Sequence, residues 1–187
     1  MIIGITGWMA AGKDTVADYL IEKRGFLYIS LSDIIREALR AEGREVSRDN
    51  LREKGNELRD QYGPDYLAQQ ALKIVVANPE KDYVIPSIRQ SAEVRVLRDN
   101  PAFKLWAVVG PIEERFARMQ VRKRGDDQLI TSIEVLKEKE DAENGGTANC
   151  QEVGVTVSMA DVTIDNSGTF DELYAKVDET LGKAKND

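Results

Sequence analysis

The chain has 187 residues, 33 of them acidic and 26 basic, for a net charge of −7; 42% are hydrophobic and 32% charged. This balance predicts one α/β domain over residues 1–187 with a full core, and the acidic excess argues against a broad nucleic-acid face. There is no histidine and only one cysteine, Cys150, which excludes Ser-His or Cys-His catalysis, a His-held metal and an internal disulfide. Acid–base work falls to Asp and Glu, and any metal is a hard cation held by oxygen. The N-terminus has no basic leader and no apolar run nears the ~20 residues a membrane span needs, so a cytoplasmic protein away from membranes is expected.

Residues 1–6 are almost wholly apolar, as a central parallel strand is. The segment GWMAAGKDT, Gly7 to Thr15, follows directly and carries the spacing G-x-x-x-x-G-K, with Asp14 where Ser or Thr is usual. Gly7 and Gly12 let the backbone, through Ala10 and Ala11, curl into a nest of N–H donors, and Lys13 adds a cation for the outer phosphates of a nucleoside triphosphate. A helix over residues 14–23 aims its positive end at the same anion. A second strand is read at 26–30, then a helix capped by Ser32 and stopped at Gly43. Ser47 caps a helix to about 61, and Pro64 opens another over 65–77.

Further strands are predicted at 83–85, 103–109 and 162–164, and helices at 92–99, from Pro111 to 124, at 131–143 and from Thr169 to about 182. Residues 153–159 fit either helix or strand, Asn144-Gly145-Gly146 reads as a linker, and the last five residues are expected to fray. The alternation implies right-handed crossovers: a three-layer sandwich with a five-stranded parallel sheet flanked by helices. In such sheets the ligand lies past the carboxyl ends of the strands.

After the second strand, Asp33 and Arg36 stand three apart at a helix start, the acid suited to Mg²⁺ or a hydroxyl proton and the Arg to an acceptor phosphate. A helix-start charge and a surface cation describe them equally well. After the third strand, Arg89 is either a second phosphate clamp or the partner of Glu93 on a helix surface. No carboxylate ends that strand, since Asp82 precedes it and belongs to the opposite sheet edge. Arg115, Arg118, Arg122, Lys123 and Arg124 form the densest cationic run, read as a lid over the triphosphate or as a solvated face, with Arg115, Arg118 and Arg122 on one side of the helix. Arg118, Arg122 and Arg124, in that order, are the candidates to reach the phosphates. The loop from Ile164 to Thr169, which includes Asn166, either passes under a purine base or is simply a good helix cap. Lys54, Asn56 and Arg59 lie on a helix expected over the acceptor, and Trp8 and Tyr62 can stack on a base or simply pack.

Together these segments resemble the P-loop nucleoside monophosphate kinase group over nearly the whole chain. The nearest likeness is to archaeal adenylate-kinase-related and dephospho-CoA-kinase-like proteins, carried by IIGITGWMAAGKDTVADYL, ISLSDIIREALR, NLREKGNELRDQYGPDYLA, IRQSAEVRVLR and ADVTIDNSGTFDEL. The GKDT variant is similar to phage-type deoxynucleoside monophosphate kinases. The resemblance implies a core of residues 1–46, 78–124 and 153–187, acceptor-site helices at about 47–77 and an Arg-rich lid at about 122–150. It implies ATP and Mg²⁺ as cofactors. Gly7, Gly12 and Lys13, with Ala10, Ala11, Asp14 and Thr15 beside them, would bind the triphosphate, and Arg118 and Asn166 would lie on the nucleotide side. Arg36, Arg59, Arg89 and Asp33 fall on the acceptor side; Asp14, Thr15 and Asp33 are the candidate metal ligands, and Lys13, Asp33, Arg118 and Arg122 the candidate catalytic groups.

Two departures touch the metal: Pro86-Ser87 stands where relatives have Asp-Gly, and Asp14 replaces the Mg²⁺-binding hydroxyl. The expected activity is an ATP- and Mg²⁺-dependent phosphotransferase acting on a small nucleotide acceptor, as a monomer or homodimer. A dephospho-CoA-kinase-like enzyme acting on a ribose hydroxyl is one alternative. An ATP- or AMP-binding regulatory module with little turnover is the other.

Overall fold

Short apolar runs pair in parallel as β1 (Ile2–Thr6), β2 (Leu27–Tyr28), β3 (Tyr83–Ile85), β4 (Phe103–Val109) and β5 (Val162–Asp165), in the order β2-β3-β1-β4-β5. The computed structural model describes residues 1–123, 125–144 and 151–184. The expectations for Arg124, Cys150, the Gly145-Gly146 linker and residues 185–187 therefore lie outside the described residues. The strands alternate with α1 (Lys13–Arg24), α2 (Leu31–Ala41), α3 (Arg48–Tyr62), α4 (Tyr66–Ala77), α5 (Ser91–Leu97), α6 (Ile112–Arg122), α7 (Ile133–Glu143), α8 (Val153–Ser158) and α9 (Phe170–Ala184). Central β1 pairs with β3 on one side and β4 on the other, so the chain order reverses at the carboxyl end of β1. A crevice opens at such a switch point.

The period of two along β1 sends its side chains into two cores. Ile2 joins the cluster formed with Ile35, Leu58, Leu67, Ala71 and Leu97 of α2 to α5. Ile3 and Ile5 join Val16, Leu20, Leu173 and Val177 of α1 and α9 on the opposite face. Each fully buried Leu or Ile contributes about 1.5–3 kcal/mol. A third, smaller cluster packs Met119, Ile130 and Leu136 against Met9 and Ala10, bringing α6 and α7 beneath the loop after β1. No described helix is long and apolar enough to cross a membrane.

Two local expectations change and one open reading is decided. The second strand is shorter than residues 26–30: only Leu27 and Tyr28 join the ladder, because Phe26 turns into the core and Ser30 leaves to cap α2. The cap of α2 is thus Ser30, whose hydroxyl accepts from the Asp33 N–H at 3.2 Å, and not Ser32. Residues 153–158 are helical, with Thr156 Oγ1 2.7 Å from Thr6 Oγ1 in a fully buried pair that ties α8 to the end of β1.

Past β3 the chain turns through Pro86 and Ser87, and Ser87 holds a left-handed φ of 64°. The turn lets the Ile88 N–H reach the Ile5 carbonyl at 3.0 Å, which keeps this segment against β1. The left-handed well costs an L-residue roughly 1–2 kcal/mol, and glycine adds about 0.5–1 kcal/mol of unfolded-state entropy. Ser87→Gly should therefore stabilise the fold by about 0.5–1 kcal/mol, a rise of ~2 °C in the thermal midpoint measured by calorimetry. A lower midpoint would show that the serine side chain holds this turn.

Candidate phosphate-binding site

The loop between β1 and α1 is shaped by backbone conformations that only small residues accept. Gly7 has φ 143° and Gly12 φ 101°, and Ala10 is left-handed at 55°. A Cβ on Gly7 would overlap the Val108 carbonyl oxygen, and one on Gly12 the amide nitrogen of Asn166. Most of the loop's carbonyls are turned onto donors. Lys13 Nζ donates to the Gly7 and Trp8 oxygens at 2.8 Å each, Arg115 to the Met9 oxygen at 3.1 Å, and Asn166 Nδ2 to the Ala11 oxygen at 2.8 Å. No side chain caps α1, and its positive end, beginning at Lys13, faces this loop.

Cations converge on this loop. Burial first, then the field of Arg89, with smaller contributions from Arg122 and Arg115 and against the opposing charge of Asp14, together lower the Lys13 pKa to about 8. Positive groups that repel one another in the unliganded chain are relieved when a polyanion lies between them. Arg122 makes two bonds to Asp127, at 2.6 and 3.1 Å, which raise its pKa. Arg118 Nη2 donates to the Asn166 carbonyl at 2.5 Å and to Glu114 at 3.0 Å, while its Nη1 is buried without a partner. Arg118 therefore sits over the start of the loop after β5, beside Gly110. Asp14 is exposed and Thr15 half-buried at the head of α1.

Arg115 departs from the expected shared face. Only 5% exposed, it pairs with buried Glu140 of α7 and donates to the carbonyls of Gly110 and Met9, so it packs under the loop and does not line an open basic surface. The reason is the third apolar cluster, which draws that side of α6 inward.

On the acceptor side, Asp33 and Arg36 pair with each other at the start of α2 and stay partly exposed. Arg89 follows β3 and is exposed. The expected alternative, an Arg89–Glu93 pair on the helix surface, does not form. Glu93 is 2% exposed, and its carboxylate accepts the backbone N–H groups of Arg89 and Gln90 at 3.1 and 3.2 Å. Burial raises the Glu93 pKa, and those two N–H bonds with the charge of Arg59 work against the rise. Arg59 approaches Glu93 to 3.8 Å from α3, and its Nε is buried without a partner. Lys54 is drawn away into pairs with Glu42 at 2.5 Å and Glu57 at 3.1 Å, locking α3 to the end of α2. Trp8 lies near Gly154 of α8 and Tyr62 stacks on Tyr66 at 4.6 Å, so both rings pack against protein. Asp82 contacts the Met1 nitrogen at 2.7 Å, at the sheet edge away from the loop.

No family model matches the chain. Among curated proteins, a UPF0200 protein of Methanoregula boonei is 31% identical over 181 residues, covering 96% of this chain and 95% of that protein. The chain belongs to the UPF0200 family. A UPF0200/UPF0201 protein of Archaeoglobus fulgidus is also 31% identical, over 191 residues, covering 99% of this chain; the chain spans 56% of that longer relative. Solved structures with the same architecture include a shikimate kinase of Bacteroides thetaiotaomicron, at 13% identity and TM-score 0.55 over 99% of this chain and 98% of that one. A gluconokinase of Sinorhizobium meliloti gives 15% identity and TM-score 0.52 over 98% and 93%. This UPF0200 chain thus has the α/β fold of P-loop kinases.

Glu140 and the buried role of Arg115 carry no mark in the sequence. Glu140 lies in a strongly charged helix and reaches Met9 across 131 positions, so no spacing marks it. Glu93 was visible only as the acid four residues after Arg89. Among the described residues, no group of three or more acidic or Cys side chains is placed to hold a metal.

Proposed function

We propose that this UPF0200 protein is an ATP- and Mg²⁺-dependent phosphotransferase whose acceptor is a small nucleotide-type molecule. The observation that carries this is the glycine-shaped loop, with Lys13 at its end and in the field of Arg89 and Arg122, in a chain of net charge −7. A triphosphate suits this loop, since Gly7 and Gly12 pack where no Cβ fits and the carbonyls of Gly7, Trp8, Met9 and Ala11 already have donors. The donor side consists of Gly7, Ala10, Ala11, Gly12, Lys13 and the head of α1, with Arg118 and Asn166 at the base side. The acceptor side consists of Arg36, Arg59, Arg89 and Asp33. Mg²⁺ would be held by the Thr15 hydroxyl and a carboxylate of Asp14 or Asp33, with phosphate oxygens and water completing its shell.

In the transfer, the bond from the γ-phosphorus to its bridging oxygen breaks, a bond to an acceptor oxygen forms, and ADP leaves. Lys13 and Arg122 neutralise the charge that spreads over the phosphoryl oxygens. A nucleoside monophosphate already supplies an anionic nucleophile and needs no strong base. A ribose hydroxyl, as in a dephospho-CoA-type acceptor, needs one, and Asp33 would serve as that base. The test is acceptor-stimulated ADP release over a panel of nucleoside and deoxynucleoside monophosphates and dephospho-CoA, with and without Mg²⁺. Asp33→Asn should slow a hydroxyl acceptor by about 10²–10⁴-fold and a monophosphate acceptor by less than about tenfold.

A second reading, a nucleotide-binding regulatory module, is favoured by one observation: Pro86 and Ser87 follow β3 in place of a metal-organising carboxylate. Tight ATP binding with no ADP release from any acceptor would establish the module and sink the kinase.

A further inference from the structure

We propose that the buried Arg115–Glu140 pair is a positioning device for the phosphate loop, holding Met9 by both its backbone N–H and its carbonyl and thereby setting the loop's affinity for a triphosphate. The inference rests on the reading of that loop as the triphosphate site and goes beyond it in assigning α6 and α7 a part in building the site.

Both side chains are almost fully enclosed, at 5% and 6% exposure. Glu140 accepts the Met9 N–H at 3.2 Å, and Arg115 Nη1 donates to the Met9 oxygen at 3.1 Å. The two also bond to each other through both carboxylate oxygens, one of those bonds being 3.2 Å, and Arg115 Nε donates to the Gly110 oxygen at 3.1 Å. The two successive peptides that flank Met9 are thus held by a single ion pair, and the same guanidinium bonds the Gly110 carbonyl just after β4. The next residue, Ala10, sits in the left-handed region at φ 55°. A non-glycine residue stays there only when its surroundings over-determine it. Here those surroundings are the Met9 bracket and the small cluster of Met119, Ile130 and Leu136 packed on Met9 and Ala10.

The plain alternative is that the pair merely joins α6 to α7. Buried ion pairs are weak stabilisers and are often replaced by apolar residues without loss, whereas removing one partner strands the other. This separates the two roles. Glu140→Gln and the double variant Arg115→Met/Glu140→Met are compared with the wild type by calorimetric binding of ATP and of inorganic tripolyphosphate, by thermal midpoint, and by KM for ATP and for the acceptor.

The positioning role predicts that Glu140→Gln weakens binding of both polyanions about tenfold or more. KM for ATP rises with it, while KM for the acceptor stays within about twofold. It also predicts that the double variant regains the thermal midpoint but not the affinity. A double variant that binds both polyanions like the wild type overturns the positioning role and leaves the proposed function standing. A wild type that binds neither overturns both. Should the variants not fold, amide exchange in the wild type decides: a protected Met9 amide before any ligand is added supports the bracket, and a freely exchanging one refutes it.

Discussion

Replacing Lys13 by Met is expected to lower kcat/KM for phosphoryl transfer by about 10³-fold while leaving the fold intact. Lys13 is the one flexible cation inside the loop, and its ammonium donates to the Gly7 and Trp8 carbonyls. A triphosphate offers the same ammonium full negative charge, so its bonds strengthen as charge moves to the bridging oxygen. The lowered pKa makes the effect visible in binding. The Lys13 pKa is lowered to about 8, chiefly by burial and then by the field of Arg89. A bound polyanion raises that pKa, so binding above pH 8 must take up a proton. ATP affinity should be level below pH 8 and fall by up to about tenfold per unit above it. Calorimetry near pH 8.5 in buffers of different ionisation enthalpy should show proton uptake in the wild type and none in Lys13→Met. Equal proton uptake in both would assign the titration to another group. The same depressed pKa means that the folded chain holds fewer protons than the unfolded one between pH 8 and 10.5, so this group's contribution to stability grows as pH rises through that window.

Arg89→Met should separate the two halves of the site. Acceptor-stimulated ADP release is expected to fall by about 10²–10³-fold, with the loss mainly in kcat/KM for the acceptor. ATP binding should hold or tighten slightly near pH 8, because removing the field of Arg89 raises the Lys13 pKa toward its ordinary value. The fold should tolerate the change. The Arg89 backbone is fixed independently of its side chain, its N–H by buried Glu93 and its carbonyl by the Glu152 N–H at 2.7 Å. The measurement is a KM and kcat split for both substrates beside a thermal midpoint. A variant that loses ATP affinity as strongly as acceptor affinity would place Arg89 on the donor side instead.

Much of the architecture was legible from local pattern. The strands at 83–85 and 103–109 occur where the apolar runs lie, since a strand buried on both faces needs an uninterrupted run of side chains. Ser47 caps α3 as its spacing before the helical stripe implies. The G-x-x-x-x-G-K spacing was readable because Gly7 and Gly12 answer a local demand, positive φ and no room for a Cβ. Elements decided by neighbours were harder. Residues 26–30 look like a strand, yet the edge of the sheet keeps only two of them because Ser30 is needed at the head of α2. The run from Arg115 to Arg122 is uniform in sequence and divides in space. One Arg is buried on Glu140, one lies over Asn166 and one is paired with Asp127.

By itself, the sequence determined the α/β alternation, the place and backbone shape of the phosphate loop, and the exclusion of histidine and disulfide chemistry. These follow from residue type and short-range spacing, which act within a few positions of the chain. The tertiary structure alone decided which charges meet. Glu93 faces inward to hold the Arg89 backbone, Lys54 is taken up by Glu42 and Glu57, and Glu140 crosses 131 positions to hold Met9. A charged residue carries no sequence mark of its partner, because a buried charge finds that partner through packing of distant elements. The electrostatics of the loop, and the pKa of Lys13 with it, come from that packing.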